Sequence, residues 1–155
     1  MALWTMQYRF RQGFRVSAKE AYEWCTDYDA DDLERMGDHG TRRVRWLSDD
    51  LALLTDRFAG DGHPFVKEKL VHLIPSRLSW TSTHLSGPIR LSQFLYSISS
   101  RSTRRSVLEF TGLQVESRRS NPTPARRAAA AEQLRRTDSA AWRRLARHLH
   151  ADLRQ

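Results

Sequence analysis

The chain has 155 residues, 26 Lys plus Arg against 18 Asp plus Glu, and a formal net charge of +8. That length makes a single domain, which hides about 68–70% of the surface its unfolded chain exposes, so no disulfide or metal staple is required. With 39% hydrophobic and 10% aromatic residues, one cysteine (Cys25) and no aliphatic run longer than residues 51–54, the sequence excludes intrinsic disorder, an intramolecular disulfide, a Cys-x-x-Cys metal site and a transmembrane helix.

The N-terminus alternates polar and apolar residues and carries Arg9 and Arg11, which is not the pattern of a signal peptide. The expectation is one soluble, cytoplasmic domain over residues 1–155. Its charge is uneven. Residues 1–100 hold thirteen basic and thirteen acidic side chains, whereas residues 101–155 hold thirteen basic and five acidic. A basic stretch of this kind reads as a solvated helix face, with a weak anionic partner as the functional alternative.

Trp4, Met6, Tyr8, Phe10, Phe14 and Val16 share one parity, and Thr5, Gln7, Arg9, Arg11 and Arg15 the other. Side chains alternate across a pleated strand, so this predicts one long strand with an apolar and a charged face, with Gly13 marking a bulge or bend. Ser17 and Glu20 form the S-x-x-E capping box that satisfies free amides at a helix start, and Ala21, Tyr22, Trp24 and Cys25 supply its buried stripe. A second short helix follows, capped by Asp29, carrying Leu33 and Met36 and stopped by Gly37. Asp29, Asp31, Asp32 and Glu34 cluster at its start, where the helix dipole favours negative charge, and capping explains them without a metal.

From residue 41 to 117 the pattern is of strands joined by tight turns: 44–46, 51–58, 65–74, 78–85, 89–99 and 107–115. Ser48–Asp50, Gly60–Pro64, Pro75–Arg77 and Gly87–Pro88 mark the returns, with a polar connection at 101–105. Short returns between successive strands predict an antiparallel meander. Thr123 then caps and Pro124 opens a final helix over 125–153, free of Gly and Pro, which would span roughly 45 Å. Leu134, Ala141, Trp142, Leu145, Leu149 and Leu153 form its apolar stripe, and Thr137–Ser139 is a candidate kink.

Strand, two short helices, a meander and one long amphipathic helix define an α+β class, in which only the terminal helix is large enough to cover the sheet. The opening from Phe14 through Val16 and Glu20 to Tyr22 and Trp24, with the ending Ala141, Trp142 and Leu145, resembles the helix-grip proteins of the START and Bet v 1-like (SRPBCC) superfamily. Within it the chain is similar to the polyketide cyclase/dehydrase-type branch. The resemblance implies a curved sheet of about seven strands around the C-terminal helix. It also implies a cavity between them for an apolar or amphipathic molecule. Family members include lipid carriers, hormone receptors, aromatase/cyclases and ribosome-associated factors, so the fold fixes the container and leaves the activity open.

A site of this kind needs apolar walls and a few orienting polar groups. The expected ligand-binding residues are Trp46, Leu70, His72, Trp80, Ser82, His84, Phe94, Tyr96, Phe110 and Trp142. If Pro75, Ser76 and Arg77 make a three-residue turn, His72 lies opposite Trp80, Leu70 opposite Ser82, and Glu68 opposite His84, all on one face. Glu68 and His84 then read either as a carboxylate orienting an imidazole for acid–base work or as a mutually satisfied polar pair. The parity of Phe94–Ile98 leaves the inward face of that strand open.

No GxGxxG, P-loop or G-x-S-x-G motif occurs, so no nucleotide cofactor is expected. His148 and His150 stand two apart on a helix and cannot share a face, so no zinc pair is expected either. Three function classes follow: a carrier of a hydrophobic small molecule, an aromatase/cyclase-type enzyme using His84, Glu68 or His72, and an RNA- or ribosome-associated module. The last would use Arg126, Arg127, Arg135, Arg136, Arg143, Arg144 and Arg147.

Overall fold

The computed structural model describes residues 1–60 and 62–154. Strand β1 (Ala2–Phe14) is followed by helices α1 (Ala18–Thr26) and α2 (Asp32–Arg35), then strands β2 (Gly40–Ser48), β3 (Leu51–Phe58), β4 (Phe65–Ile74), β5 (Ser79–His84), β6 (Gln93–Ser102) and β7 (Arg105–Arg118), and helix α3 (Pro124–Leu153). One antiparallel sheet runs in the order β1-β7-β6-β5-β4-β3-β2. The first strand therefore closes against the last, and α3 packs back onto β1.

The even parity of β1 is the inner one: Trp4, Met6, Tyr8, Phe10 and Phe14 are buried while the residues between them face out. Its register against β7 continues unbroken through Gly13 opposite Val107, so the expected bulge at Gly13 is absent. The bulges lie elsewhere, between Trp46 and Ser48 and between Ser100 and Ser102. On β6 the inward residues are Phe94, Tyr96 and Ile98, with Leu95 turned outward.

Ser17 and Glu20 form the capping box of α1, the Glu20 amide donating to Ser17 Oγ at 3.2 Å. Asp29 is not the cap of α2. Asp31 holds that position without a side-chain bond, and Asp29 Oδ1 instead accepts from the Asp31 amide at 2.8 Å, a local turn that competes with helix capping. Gly37, at φ 81°, ends that helix as expected. The expected turn at Gly60–Pro64 includes Asp61, which lies outside the described residues, while Gly60 and Gly62 take φ of 62° and 79°.

The β4–β5 hairpin departs from expectation by one residue. Pro75–Arg77 forms a short 3₁₀ turn that needs Leu78, at φ 47°, to complete the return. The loop is thus four residues, Ile74 faces Ser79, and each residue of β4 meets a partner one position later than a three-residue turn would give. Because side chains alternate with period two, Lys69, Val71 and Leu73 face inward, and Glu68, Leu70 and His72 face out. Residues 89–91 also belong to the turn before β6 rather than to the strand.

Helix α3 has Thr123 at its N-cap and Pro124 at its first turn, and it runs unbroken through Thr137–Ser139. Its C-terminal half, through Ala146 and Leu149, packs with α1 on a core that includes Phe14, Ala21, Tyr22, Leu54, Val71, Trp80 and Leu108. Its N-terminal half, through Ala131 and Leu134, covers a second cluster of Tyr8, Phe10, Phe94 and Phe110. Among the described residues no helix is long and apolar enough to cross a membrane.

Candidate functional site

Between the concave face of the sheet and α3 lie two hollows, of about 110 Å³ and 390 Å³. They share Met36, Lys69, Ser82, Tyr96 and Trp142 as a common wall. The larger one is floored by Ser82, His84, Phe94, Tyr96 and Phe110 and roofed by Leu134, Asp138, Ala141 and Trp142 of α3. The aromatic rings of the two hollows pack on one another: Trp80, in the smaller, stacks on Tyr96 at 4.6 Å between ring centroids and 3° between planes, Tyr96 meets Phe110 edge-on at 5.3 Å, and Trp142 lies 5.8 Å from Tyr96.

A buried ionic network stands at one end. Arg42 and Asp56 face each other across β2 and β3, with Arg42 Nε 2.8 Å from Asp56 Oδ1 and Arg42 Nη2 2.9 Å from Oδ2. Lys69 Nζ reaches Asp56 Oδ2 at 2.8 Å, and Arg42 Nη1 reaches Asp32 Oδ2 at 3.1 Å. Burial pushes the Asp56 carboxyl up, but two cations on a single carboxylate outweigh it and hold it below its ordinary value. Lys69 has only a share of one anion. Burial and the neighbouring Arg42 charge bring its ammonium down to about 8.

His84 stands directly across from Lys69 in the β4–β5 register, on the same face. It is 5% exposed, it packs edge-on against Phe94 at 5.2 Å, and its Nδ1 has no hydrogen-bond partner. Burial, then the charges of Lys69 and Lys67, lower its pKa to about 3, so the imidazole is neutral at pH 7. On the α3 side Tyr8 Oη donates a hydrogen bond to Asp138 Oδ2. Burial raises the Asp138 carboxyl above its ordinary range, against the pull of that bond and of Lys67.

Of the residues expected from sequence to bind a ligand, Trp80, Ser82, His84, Phe94, Tyr96, Phe110 and Trp142 line one or both hollows. Trp46, Leu70 and His72 do not. Trp46 keeps the inward parity of β2 but sits at the strand's far end, 45% exposed. Leu70 and His72 lie on the convex face, His72 beside Asp50 with Nε2 3.8 Å from Oδ2. The expected Glu68–His84 pairing is likewise absent, because the longer hairpin loop turns Glu68 outward, where Ser86 Oγ donates to it at 3.1 Å.

Arg42, Asp56, Lys69, Tyr8 and Asp138 were missed by sequence reasoning. For the first three a signal existed: each is a charged residue on the parity shared with Val44, with Ala52 and Leu54, or with Val71 and Leu73. Charge on a buried parity marks either a paired group or a site. Along α3, Arg135 and Arg136 pair with Glu132, while Arg144, beside the larger hollow, donates to the Met36 carbonyl at 3.2 Å.

No known family profile and no curated protein sequence matches the chain. Solved structures do. The ZhuI aromatase/cyclase from Streptomyces sp. R1128 superposes with a TM-score of 0.77 at 11% identity, covering 97% of this chain and 96% of that one. Norcoclaurine synthase from Thalictrum flavum, in complex with dopamine and hydroxybenzaldehyde, gives 0.70 at 11% identity over 99% and 90%. A START superfamily protein from Mycobacterium smegmatis gives 0.69 at 14% identity over 92% and 98%. The chain has the helix-grip fold of the START and Bet v 1-like proteins. At these identities the likeness is one of fold.

Proposed function

We propose that this helix-grip domain binds an apolar or amphipathic small molecule in the larger chamber between sheet and α3. The observation that carries the reading is a hollow of about 390 Å³ with aromatic walls and a few polar side chains, His84, Lys69 and Asp138 among them. Small-molecule sites of about 300–1,000 Å³ combine apolar walls with a few orienting groups in this way. Desolvating a guest against Phe94, Tyr96, Phe110 and Trp142 contributes about 25 cal/mol for each Å² of apolar area removed from water. Native mass spectrometry of the purified protein tests this: we expect a co-purifying mass, or uptake of an added naphthalene-class probe with quenching of tryptophan fluorescence. A protein that takes up neither overturns it.

A cyclase-type enzyme is the second reading. It is favoured by acid–base groups on facing walls, His84 and Lys69 on the sheet and Asp138, bonded by Tyr8, on α3. Turnover of a poly-β-ketone thioester mimic that is lost in Asp138→Asn would support it.

A further inference from the structure

His84 and the charges around it point to the chemistry of the guest; this inference rests on the reading of the chamber as a binding site. His84 is 95% buried as a residue and lines the chamber; its Nδ1 is sealed behind the ring and has no partner among the described residues, although buried polar groups are normally paired. Its cross-strand partner Lys69 carries three ammonium donors and uses one on Asp56. Lys67 follows on the same face, its ammonium 5.3 Å from the Phe58 ring centroid.

The carboxylates nearby are already committed. Asp56 gives both oxygens to Arg42 and Lys69, Asp32 pairs with Arg42, and Asp138 accepts from Tyr8. Asp38 and Arg144 complete the charged groups of the chamber wall, Arg144 bonded to the Met36 carbonyl. Arg42 is matched by Asp56 and Asp32, so the cations acting on His84 are Lys69 and Lys67, with Asp56 the carboxylate nearest to them. The lowered pKa of His84 registers the same positive field, after burial.

We infer that the guest is an organic acid, its apolar body stacked on the aromatic walls and its carboxylate seated between Lys69 and His84. The carboxylate would accept from the Lys69 ammonium and from the imidazole N–H that faces the chamber, and would offset the charge of Lys69 and Lys67. The volume, near the lower end for small-molecule sites, suits an acid of one to three rings or a short chain.

The test compares 2-naphthoate with its uncharged counterpart 2-naphthamide by calorimetry at pH 7. Naphthoate is expected to bind at least tenfold more tightly, and Lys69→Met to abolish that preference while naphthamide still binds. Imidazole ¹⁵N shifts of the wild-type protein give a second measurement that needs no variant: naphthoate is expected to move the His84 resonances and naphthamide to leave them largely in place. Equal binding of both compounds, or His84 resonances unmoved by bound naphthoate, overturns the acid headgroup and leaves the binding reading intact. Failure of both compounds to bind counts against the chamber as a site and takes this inference with it.

Discussion

Gly112 lies directly beneath the ring of Tyr8, its cross-strand partner: a Cβ built on Gly112 would sit 2.5 Å from Tyr8 Cζ and 2.9 Å from Oη. The missing side chain is what lets the Tyr8 hydroxyl lie over β7 and reach Asp138 on α3. Gly112→Ala is therefore expected to push the ring off its seat and break that bond. Overpacking of this kind costs about 1–3 kcal/mol, read as a lower urea midpoint with an unchanged slope. Tyr8→Phe, which removes only the hydroxyl, should cost less than Gly112→Ala.

Stability should fall on acidification from near pH 6.5. His84 has a folded pKa of about 3, below its ordinary value of 6.5, so between those limits the unfolded chain binds the extra proton. The contribution is fully present above pH 6.5 and is lost as pH falls toward 3, with a slope of at most about 1.4 kcal/mol per pH unit. His150, whose Nε2 accepts from the Arg15 amide at 2.9 Å, is lowered by burial and acts in the same direction. Urea unfolding across pH 4–8 is expected to show the decline, and His84→Phe to flatten it.

Removing one member of the Arg42–Asp56 pair should be worse than removing both. The two side chains are 3% and 1% exposed, so Arg42→Met leaves Asp56 with Lys69 alone and is expected to cost about 3–5 kcal/mol. In Arg42→Met/Asp56→Leu the uncompensated carboxylate is gone but Lys69 loses its anion, so stability should recover in part, and further when Lys69→Met is added. A double-mutant cycle by denaturant unfolding reads the coupling directly. Additive losses would mean that the pair is solvated rather than buried.

Local signals reached far in this chain. The alternation from Trp4 to Phe14 needed only strand pleating, the Ser17–Glu20 box only the geometry of a first helical turn, and α3 only an uninterrupted 3.6-residue stripe after Thr123 and Pro124. The site was legible in part. Trp80, Phe94, Tyr96 and Phe110, expected as wall residues, do line the hollows, but the inward face of β6 is open in the sequence and β4 lies one residue out of the expected register. A three-residue and a four-residue hairpin loop differ in sequence by nothing obvious at Pro75–Leu78. The choice depends on Leu78 adopting φ 47°, with its amide donating to the Pro75 carbonyl at 3.1 Å. That single residue turned Lys69 inward and His72 outward.

The ionic network shows the same dependence on register. With the bulge between Trp46 and Ser48, Arg42 lies opposite Asp56; an unbulged hairpin continuing from Ser48 opposite Leu51 would have set Arg43 there instead. The sequence by itself determined the order of elements, which face of β1 is apolar, and that a long amphipathic helix must cover the sheet. Those properties depend on residues within a few positions of one another. Only the tertiary structure decided which charges share the interior, because one residue of slip in a hairpin moves every later side chain to the opposite face. It also decided that α3 stands off Phe94, Tyr96 and Phe110 far enough to leave a chamber rather than a filled core, since that separation is set by the packing of the whole sheet against the helix.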